Sequence, residues 1–358
     1  MPLSSKSLGL SGFIIVLAVA LIAIACSGGK SGGGGAVRLQ GAGATFPNPL
    51  YQKWIHEFSA ANASIQIDYQ SIGSGGGIKQ LQAQTVDFGA SDAPMTDDEL
   101  KASPSAVVHI PTVLGAVVVI YNLQGVSKPL RFSPDVVADI FLGKITKWND
   151  ARIKADNPDA SLPAADISTV HRAESSGTTF VFTDYLSKVS AEWKEKVGAN
   201  KSPKWIGGIG GKGNEGVTGQ VKQTPNTIGY VELAYAVQNK LPAGLIKNKA
   251  GNFIDPTIDA VTAAAAGAIA TTPNDLRVSI TNADGATAYP ISSYTYILAY
   301  QDQKDATKGK AVVDFLWWGI HDGQKFARDL QYAPLPDEIV KRTEAKINSL
   351  ASGGKPLR

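Results

Sequence analysis

Cysteine and histidine are scarce in this chain of 358 residues, and each scarcity removes a class of chemistry. A single cysteine permits no intrachain disulfide. The four histidines (His56, His109, His171 and His321) are scattered and lack the paired spacing of zinc ligands. We therefore expect no metal site, no redox centre and no cofactor.

The chain also lacks a large excess of charge of either sign. The chain has 34 Lys and Arg residues against 31 Asp and Glu residues, a formal net charge of +3. This balance cannot supply the dense basic surface that a nucleic-acid backbone requires, so we expect no nucleic-acid partner. The 37 glycines are a surplus in an otherwise ordinary globular composition, and glycine marks places where backbone turns or approaches closely.

The amino terminus contains a long apolar run. Residues 8–25 carry no charge and are followed by Cys26 and a segment rich in glycine and serine. About 18 apolar residues fit either an uncleaved membrane anchor or a secretory signal peptide. Ala23 and Ala25 resemble the lipobox of bacterial lipoproteins, although that pattern prefers leucine where Ala23 stands. We predict a signal peptide over 1–25, lipidation of Cys26 and a tether over 26–36, so that the body lies outside the cytoplasm.

From Val37 onward, short β-like runs alternate with amphipathic helical patterns. This alternation predicts an α/β fold, and about 320 residues should divide into two lobes because one core rarely exceeds about 300 residues. Strands are predicted over 65–70, 87–91, 107–122, 166–172, 227–232 and 294–300. Helices are predicted over 49–61, from Pro134 to Gly143 with Ser133 as the cap, and around 262–270.

Three glycine-rich segments share one pattern, in which small residues and a hydroxyl precede a helix. The first holds Thr45, the second holds Ser74 before a helix expected near Ile78, and the third runs from Arg172 to Thr178. A helix N-terminus presents unpaired N–H groups and partial positive charge, which suits an anion. Three such starts, if they converge, would form a cage of donors around a small tetrahedral oxyanion, with Arg172 as the main cation.

Familiar catalytic motifs are missing or fit poorly. Two overlapping G-x-G-x-x-G matches between Gly208 and Gly216 do not clearly join a strand to a helix, and we interpret that segment as a loop. The sequence contains no P-loop, no G-x-S-x-G and no H-E-x-x-H. Nucleotide hydrolysis and the common hydrolase mechanisms are therefore not supported.

Asp92 follows a β-like run and is the most informative acid. A carboxylate inside an oxyanion cage is repulsive unless the anion brings a proton to donate to it. Hydrogen phosphate has such a proton and sulfate has none, so a buried Asp92 would reject sulfate. The alternative is an ordinary turn or cap aspartate.

The chain resembles the substrate-binding protein of bacterial phosphate ABC transporters. The likeness extends over nearly the whole body, through the motifs GAGATFPNPLY, YQSIGSGGGIKQ, VDFGASDAPM, FLGKITKWND, SSGTTFVFTDYL, GGKGNEGV, IGYVELAYA and YPISSYTYIL. It implies a hinged, two-lobed periplasmic-binding-protein-like fold of type II with the ligand in the cleft between the lobes. Lobe 1 would comprise 37–113 with 290–358, and lobe 2 would comprise 114–289.

The resemblance also implies a ligand set. The family's phosphate-binding positions fall on Thr45, Phe46, Ser74, Asp92, Arg172, Ser176, Gly177 and Thr178. Two positions depart from the family pattern R-x-D-G-S-G-T: Glu174 is one methylene longer than the acid that braces the arginine, and Ser175 replaces a glycine.

The implied function is capture of inorganic phosphate and its delivery to the permease subunits of an ABC transporter, by a lipid-anchored monomer that catalyses nothing. Two alternatives remain. The first is a receptor for another tetrahedral oxyanion or a phosphate sensor, and the second is a secreted phosphatase with Ser74 or Ser176 as nucleophile. The phosphatase would need His171 as its base, and strand alternation places His171 opposite Arg172.

Overall fold

A computed structural model describes residues 36–126 and 128–358, and residues 36–358 form one compact unit. The predicted signal peptide and Cys26 lie outside the described residues. Within the described part of the chain, no helix combines the length and the apolar character needed to cross a membrane.

Strands and helices alternate through most of the chain. The strands are β1 (Val37–Gly43), β2 (Ile65–Ser71), β3 (Phe88–Ser91), β4 (Val107–Asn122), β5 (Arg131–Phe132), β6 (Ser168–Arg172), β7 (Ile209–Gly211), β8 (Thr227–Glu232), β9 (Leu245–Lys247), β10 (Phe253–Ile254), β11 (Ser292–Tyr300), β12 (Ala351–Ser352) and β13 (Lys355–Pro356).

The helices lie between these strands and after β11. They are α1 (Asn48–Ala61), α2 (Ser74–Gln82), α3 (Asp97–Lys101), α4 (Pro134–Phe141), α5 (Ala151–Asp156), α6 (Gly177–Val189), α7 (Ala191–Lys196), α8 (Gly213–Gln223), α9 (Leu233–Gln238), α10 (Ile258–Ala266), α11 (Ala306–Ile320) and α12 (Asp337–Asn348), with short 3₁₀ turns at Ile269–Thr271, Asp322–Phe326 and Arg328–Leu330.

Eight strands form one mixed sheet in the order β2-β1-β3-β11-β4-β8-β6-β7. The 16-residue strand β4 joins its two halves, because residues 107–116 pair with β11 and residues 117–122 pair with β8. The change of partner falls three residues after the predicted lobe border at 113. The α/β prediction is confirmed, while the lobe borders remain a prediction.

Several element predictions are confirmed. Strands β4 and β8 have the predicted bounds, and α4 starts at Pro134 with Gly143 in the left-handed region just beyond its end. The Ser133 side chain makes no capping hydrogen bond, however. The buried stripe of α1 consists of Leu50, Tyr51, Trp54 and Phe58.

Two element predictions were wrong. Helix α2 begins at Ser74 rather than near Ile78, so Ser74 is itself the first helical residue. The segment interpreted as a loop contains the strand β7 and the start of α8 at Gly213. It is therefore a fourth place where a strand, a glycine turn and a helix follow one another.

Candidate functional site

The directions of the strands bring two sets of loops face to face. Strands β1, β2 and β3 are parallel, and β11 runs antiparallel to both β3 and β4, so β3 and β4 point the same way. Strand β8 is antiparallel to β4 and parallel to β6, which is parallel to β7. The carboxyl ends of β1–β3 therefore point towards the carboxyl ends of β6–β8, and such ends are where α/β sheets place ligand sites.

The loop after β1 contributes Thr45 and Phe46. Both residues are buried, and their carbonyl oxygens accept hydrogen bonds from Tyr235 Oη at 2.5 Å and Tyr332 Oη at 2.7 Å. The Thr45 hydroxyl accepts from Asn214 Nδ2 at 2.7 Å. Side chains from distant parts of the chain thus hold this loop in place.

Two helix N-termini meet at the hydroxyl of Ser74, which is fully buried. Gly177 N, at the start of α6, donates to Ser74 Oγ at 3.0 Å, and Asp92 N donates to the same oxygen at 3.3 Å. Asp92 Oδ2 lies 3.5 Å from Ser74 Oγ. The structure therefore brings Ser74, Asp92 and Gly177 together, although 85 residues separate the last two in sequence.

Asp92 is buried and lies just beyond β3. Its Oδ1 accepts a hydrogen bond from Thr295 Oγ1 at 2.8 Å, whereas the contact of Oδ2 with Ser74 Oγ is long, at 3.5 Å. Burial raises the pKa of Asp92 to about 7, against the opposing effects of the Thr295 hydrogen bond and the Arg172 charge. A carboxyl group with this pKa is suited to sharing a proton with a ligand near neutral pH.

Arg172 ends strand β6 and its side chain is 1% exposed. Its Nε donates to Glu174 Oε1 at 3.0 Å, and its Nη2 pairs with the same oxygen. Glu174 therefore braces the arginine despite its extra methylene. Arg172 Nη1 is buried and has no hydrogen-bond partner among residues 36–126 and 128–358. An unsatisfied buried donor costs about 1–3 kcal/mol, which points to a ligand as its partner.

The segment between Arg172 and α6 contributes the remaining predicted residues. Ser176 is the N-cap of α6, and its Oγ accepts from Thr179 N at 3.1 Å. The Thr178 hydroxyl accepts from Asn214 Nδ2 at 3.2 Å. It also opposes the rise in the pKa of Asp92 that burial causes. Ser175 does not take a positive φ, so its backbone has no need of the glycine that the family has there.

We call the region where the loops after β1–β3 meet those after β6–β8 the junction. Three buried polar residues at this junction were missed by sequence reasoning: Asn214, Glu232 and Thr295. Asn214 is the second residue of α8 and contacts the hydroxyls of Thr45 and Thr178, and Glu232 N donates to Asn214 Oδ1 at 2.9 Å. Burial raises the pKa of Glu232 well above its usual range. The pattern of glycine, polar residue and helix start would have identified Asn214, but β7 is too short to show as a strand.

Contacts also cross the junction away from the proposed cage. Gly75 N donates to Ser175 O at 3.1 Å, Lys201 pairs with Glu99, and Arg277 Nη1 lies 2.8 Å from an oxygen of Asp97. In the predicted division these pairs join lobe 1 to lobe 2. In this structure the two predicted lobes therefore contact each other both at the candidate site and beside it.

His171 does not join the site. Its ring stacks on Trp205 with 4.7 Å between ring centroids, and its Nδ1 lies 3.0 Å from the carbonyl oxygen of Arg172. These contacts agree with the expectation that His171 and Arg172 point to opposite sides of β6. Nothing in this arrangement favours His171 as a base for a serine nucleophile.

Gly177 lies so close to its neighbours that a methyl group there cannot be accommodated. An added Cβ would sit 2.4 Å from Ser74 Oγ, 2.6 Å from Asp92 Oδ2 and 2.7 Å from Asp92 N. We expect Gly177→Ala to force the loops apart and to lower the affinity for the anion by about 10- to 100-fold, the cost typical of overpacking. Titration of the variant with its ligand measures this loss.

The matched control is Gly219→Ala, in the middle of α8. An added Cβ at Gly219 meets no atom within 4 Å, and alanine is the better helix former by about 1 kcal/mol. Affinity should be unchanged in this control, while thermal stability should be equal or higher. Wild-type affinity in Gly177→Ala would contradict the close approach of α6 to Ser74 and Asp92.

Comparison with known proteins adds a family. Residues 30–317 match the profile of the PBP superfamily domain. The phosphate-binding protein PstS of Xylella fastidiosa (strain 9a5c) is 48% identical over 310 residues, which is 86% of this chain and 84% of that protein. The phosphate-binding protein PstS of Pasteurella multocida is 44% identical over 322 residues, 89% of this chain and 93% of that protein.

Solved structures share the fold. A phosphate-binding protein from Stenotrophomonas maltophilia superposes with a TM-score of 0.70 at 22% identity, over 87% of this chain and 94% of that one. The periplasmic phosphate-binding protein PfluDING, solved with bound phosphate, gives a TM-score of 0.67 at 22% identity, over 86% and 93% of the two chains. The predicted two-lobed fold of the periplasmic-binding-protein type is thereby confirmed.

Proposed function

The chain belongs to the phosphate-binding proteins of the PBP superfamily, and from this membership we infer that it captures inorganic phosphate outside the cytoplasm and delivers it to an ABC transporter permease for import. Its relatives are binding proteins, and we propose that it likewise binds phosphate without turning over any substrate.

The observation that carries the proposal is the buried Nη1 of Arg172, which has no hydrogen-bond partner in the described part of the chain and lies at a junction where helices α2 and α6 also begin. A guanidinium nitrogen and helix N–H groups are donors for oxyanion oxygens. Asp92 Oδ2, on the same junction, accepts and does not donate when ionised. A site with many hydrogen-bond donors and one acceptor is complementary to an anion that still carries one proton.

Inorganic phosphate fits this pattern better than other tetrahedral oxyanions. Its dianion, a major species near neutral pH, presents several acceptor oxygens and one hydroxyl, so every donor and the Asp92 oxygen find a partner. Sulfate brings no hydroxyl, and Asp92 would then face a sulfate oxygen with no hydrogen between them. We therefore propose Thr45, Phe46, Ser74, Asp92, Arg172, Ser176, Gly177 and Thr178 as the phosphate-binding residues.

Phosphate binding acts as a signal to the permease because the proposed phosphate-binding residues come from both predicted lobes. Thr45, Ser74 and Asp92 follow strands β1–β3, whereas Arg172 ends β6 and Gly177 comes after it. An anion that contacts both sets of residues stabilises the closed arrangement over an open one. The stabilisation equals the difference in the anion's interaction free energy between the two arrangements. We propose that the permease recognises the closed form of a monomer.

We propose that the protein lies in the cell envelope, and its amino-terminal sequence supports this. We propose that the signal peptide is removed before Cys26, that this cysteine is lipidated, and that the tether over 26–36 holds the body near the membrane. The intact mass of the purified protein tests this step. A mass that includes residues 1–25, or an unmodified Cys26, would exclude the lipoprotein.

Phosphate uptake by cells tests delivery to the transporter. Cells that lack this chain should lose uptake at low external phosphate and regain it with the wild-type gene. A variant that lacks the Arg172 guanidinium should not restore uptake. Unchanged uptake in the deletion strain would argue for a sensor, and release of product from a chromogenic phosphate ester would argue for a phosphatase.

A further inference from the structure

Asn214 is fully buried and lies between the two groups of proposed ligands. Its backbone N and its Nδ2 both donate to Thr45 Oγ1, at 3.2 Å and 2.7 Å. Its Nδ2 also lies 3.2 Å from Thr178 Oγ1. One residue therefore contacts a hydroxyl after β1 and a hydroxyl at the start of α6.

The orientation of the Asn214 amide is determined by its surroundings. Glu232 N donates to Asn214 Oδ1 at 2.9 Å, and a backbone N–H can only donate. The oxygen must face Glu232, so the NH₂ group must face the two threonines. A reversed amide would place two donors against each other at Glu232.

The consequence concerns the direction of the hydroxyl protons. A threonine hydroxyl has two acceptor lone pairs and one O–H donor. Both lone pairs of Thr45 Oγ1 are taken by Asn214, which leaves this group only its O–H to offer. Thr178 Oγ1 likewise accepts from Asn214, and it faces Asp92 closely enough to lower the pKa of that carboxyl.

We propose that Asn214 is a positioning residue that makes the Thr45 hydroxyl a dedicated donor to the anion and biases the Thr178 hydroxyl towards donation when the loops meet. It thereby disfavours a ligand hydroxyl at these positions and directs the single proton of the anion to Asp92. This inference rests on the proposed function, because it assigns a role in the same phosphate site.

A double-mutant cycle with Asn214→Ala and Thr45→Val tests the proposal by phosphate titration. Each single variant should weaken binding by about 10-fold, the loss typical of one hydrogen bond to a charged group. In the Thr45→Val background, Asn214→Ala should weaken binding by only about 3-fold or less, since only Thr178 remains to be oriented. Fully multiplicative losses would overturn the proposal, because a merely structural Asn214 acts equally in both backgrounds.

Asn214→Asp provides a second readout that keeps the shape of the side chain. A carboxylate accepts, so the threonine hydroxyls would turn towards residue 214 and away from the anion. We expect a loss larger than that of Asn214→Ala, about 100-fold or more. An Asn214→Asp variant with wild-type affinity would also overturn the proposal.

The outcome is separable from that of the proposed function. If wild-type protein binds no phosphate, the proposed function fails. If wild-type protein binds phosphate and the losses multiply, only the role of Asn214 fails. Far-ultraviolet circular dichroism of each variant confirms that the compared proteins are folded.

Discussion

Asp92→Asn should convert a phosphate-selective site into one that also accepts sulfate. In the wild-type protein Asp92 Oδ2 has a 3.5 Å contact with Ser74 Oγ, which is long for a hydrogen bond, so this oxygen is available to accept the proton of hydrogen phosphate. A sulfate ion would place oxygen lone pairs against that carboxylate. Binding sites that depend on a buried hydrogen bond reject the ligand that lacks it by large factors, about 10⁴-fold in favourable cases.

Asparagine removes the negative charge and offers an N–H in its place. We therefore expect phosphate affinity to fall, sulfate affinity to rise, and the phosphate-to-sulfate ratio to drop by about 1000-fold or more. Parallel titrations with the two anions measure the ratio. Asp98→Asn is the control, since Asp98 is 95% exposed and its loss removes the same charge without touching the site. An unchanged phosphate-to-sulfate ratio in Asp92→Asn would show that Asp92 does not select the ligand by accepting its proton.

The same variant has a second readout in the pH dependence of ligand-free stability. Burial raises the pKa of Asp92 from 3.8 to about 7, so the folded protein binds more protons than the unfolded chain between these values. The free energy of unfolding should then decrease as the pH rises from about 4 to about 7, and this contribution should be constant above that. A rise of about 3 in pKa corresponds to a change on the order of 4 kcal/mol. Asp92→Asn should flatten this part of the curve; identical slopes in both proteins would contradict the raised pKa.

Arg172→Met should nearly abolish phosphate binding. The substitution removes the buried guanidinium with its Nη1, and it takes away the cation that pairs with Glu174 Oε1. A doubly charged anion would then meet two carboxylates, those of Glu174 and Asp92. Removing one partner from a buried charge pair costs about 2–5 kcal/mol, so affinity should fall by about 30- to 5000-fold.

Two further variants define the cause of that loss. Arg172→Lys keeps the charge but not the planar fork, and it should give an intermediate affinity. Arg152→Met is the control, because Arg152 is 43% exposed and its ion pairs with Asp139 and Asp150 lie at the surface. Arg172→Met with an affinity within a few-fold of wild type would remove the arginine from the proposed site.

The sequence contained enough information for the α/β class and for the strands that lead into the site. Runs such as β4 and β8 are apolar, long enough to recognise and bounded by polar residues, so their bounds were predicted to the residue. Asp92 and Arg172 could be selected because each directly follows or ends such a strand. The helix starts at Ser74 and Gly177 added donors beside them.

The parts that were missed depend on contacts between distant residues. Thr295 reaches Asp92 across 203 residues of sequence, and no local pattern encodes that hydrogen bond. Helix α2 starts four residues earlier than expected although three glycines follow Ser74, because Gly73 N bonds to Gly43 O and Gly75 N bonds to Ser175 O. Tertiary hydrogen bonds outweigh the low helix propensity of glycine there.

Asn214 shows a different reason for failure. Its strand, β7, has only three residues, two of them glycine, so the alternation that marks a strand cannot develop. The helix start at Gly213 therefore looked like part of a loop. Its role becomes visible only when Thr45, Thr178 and Glu232 are seen around one amide.

The central claim is that the junction of the two strand sets holds one hydrogen phosphate and uses Asp92 to exclude sulfate. Isothermal titration of the wild-type protein with phosphate and then with sulfate tests it most directly. We predict saturable binding of one phosphate per chain and no measurable heat of binding with sulfate at the same concentrations. Equal affinity for both anions, or no binding of phosphate, would contradict the claim.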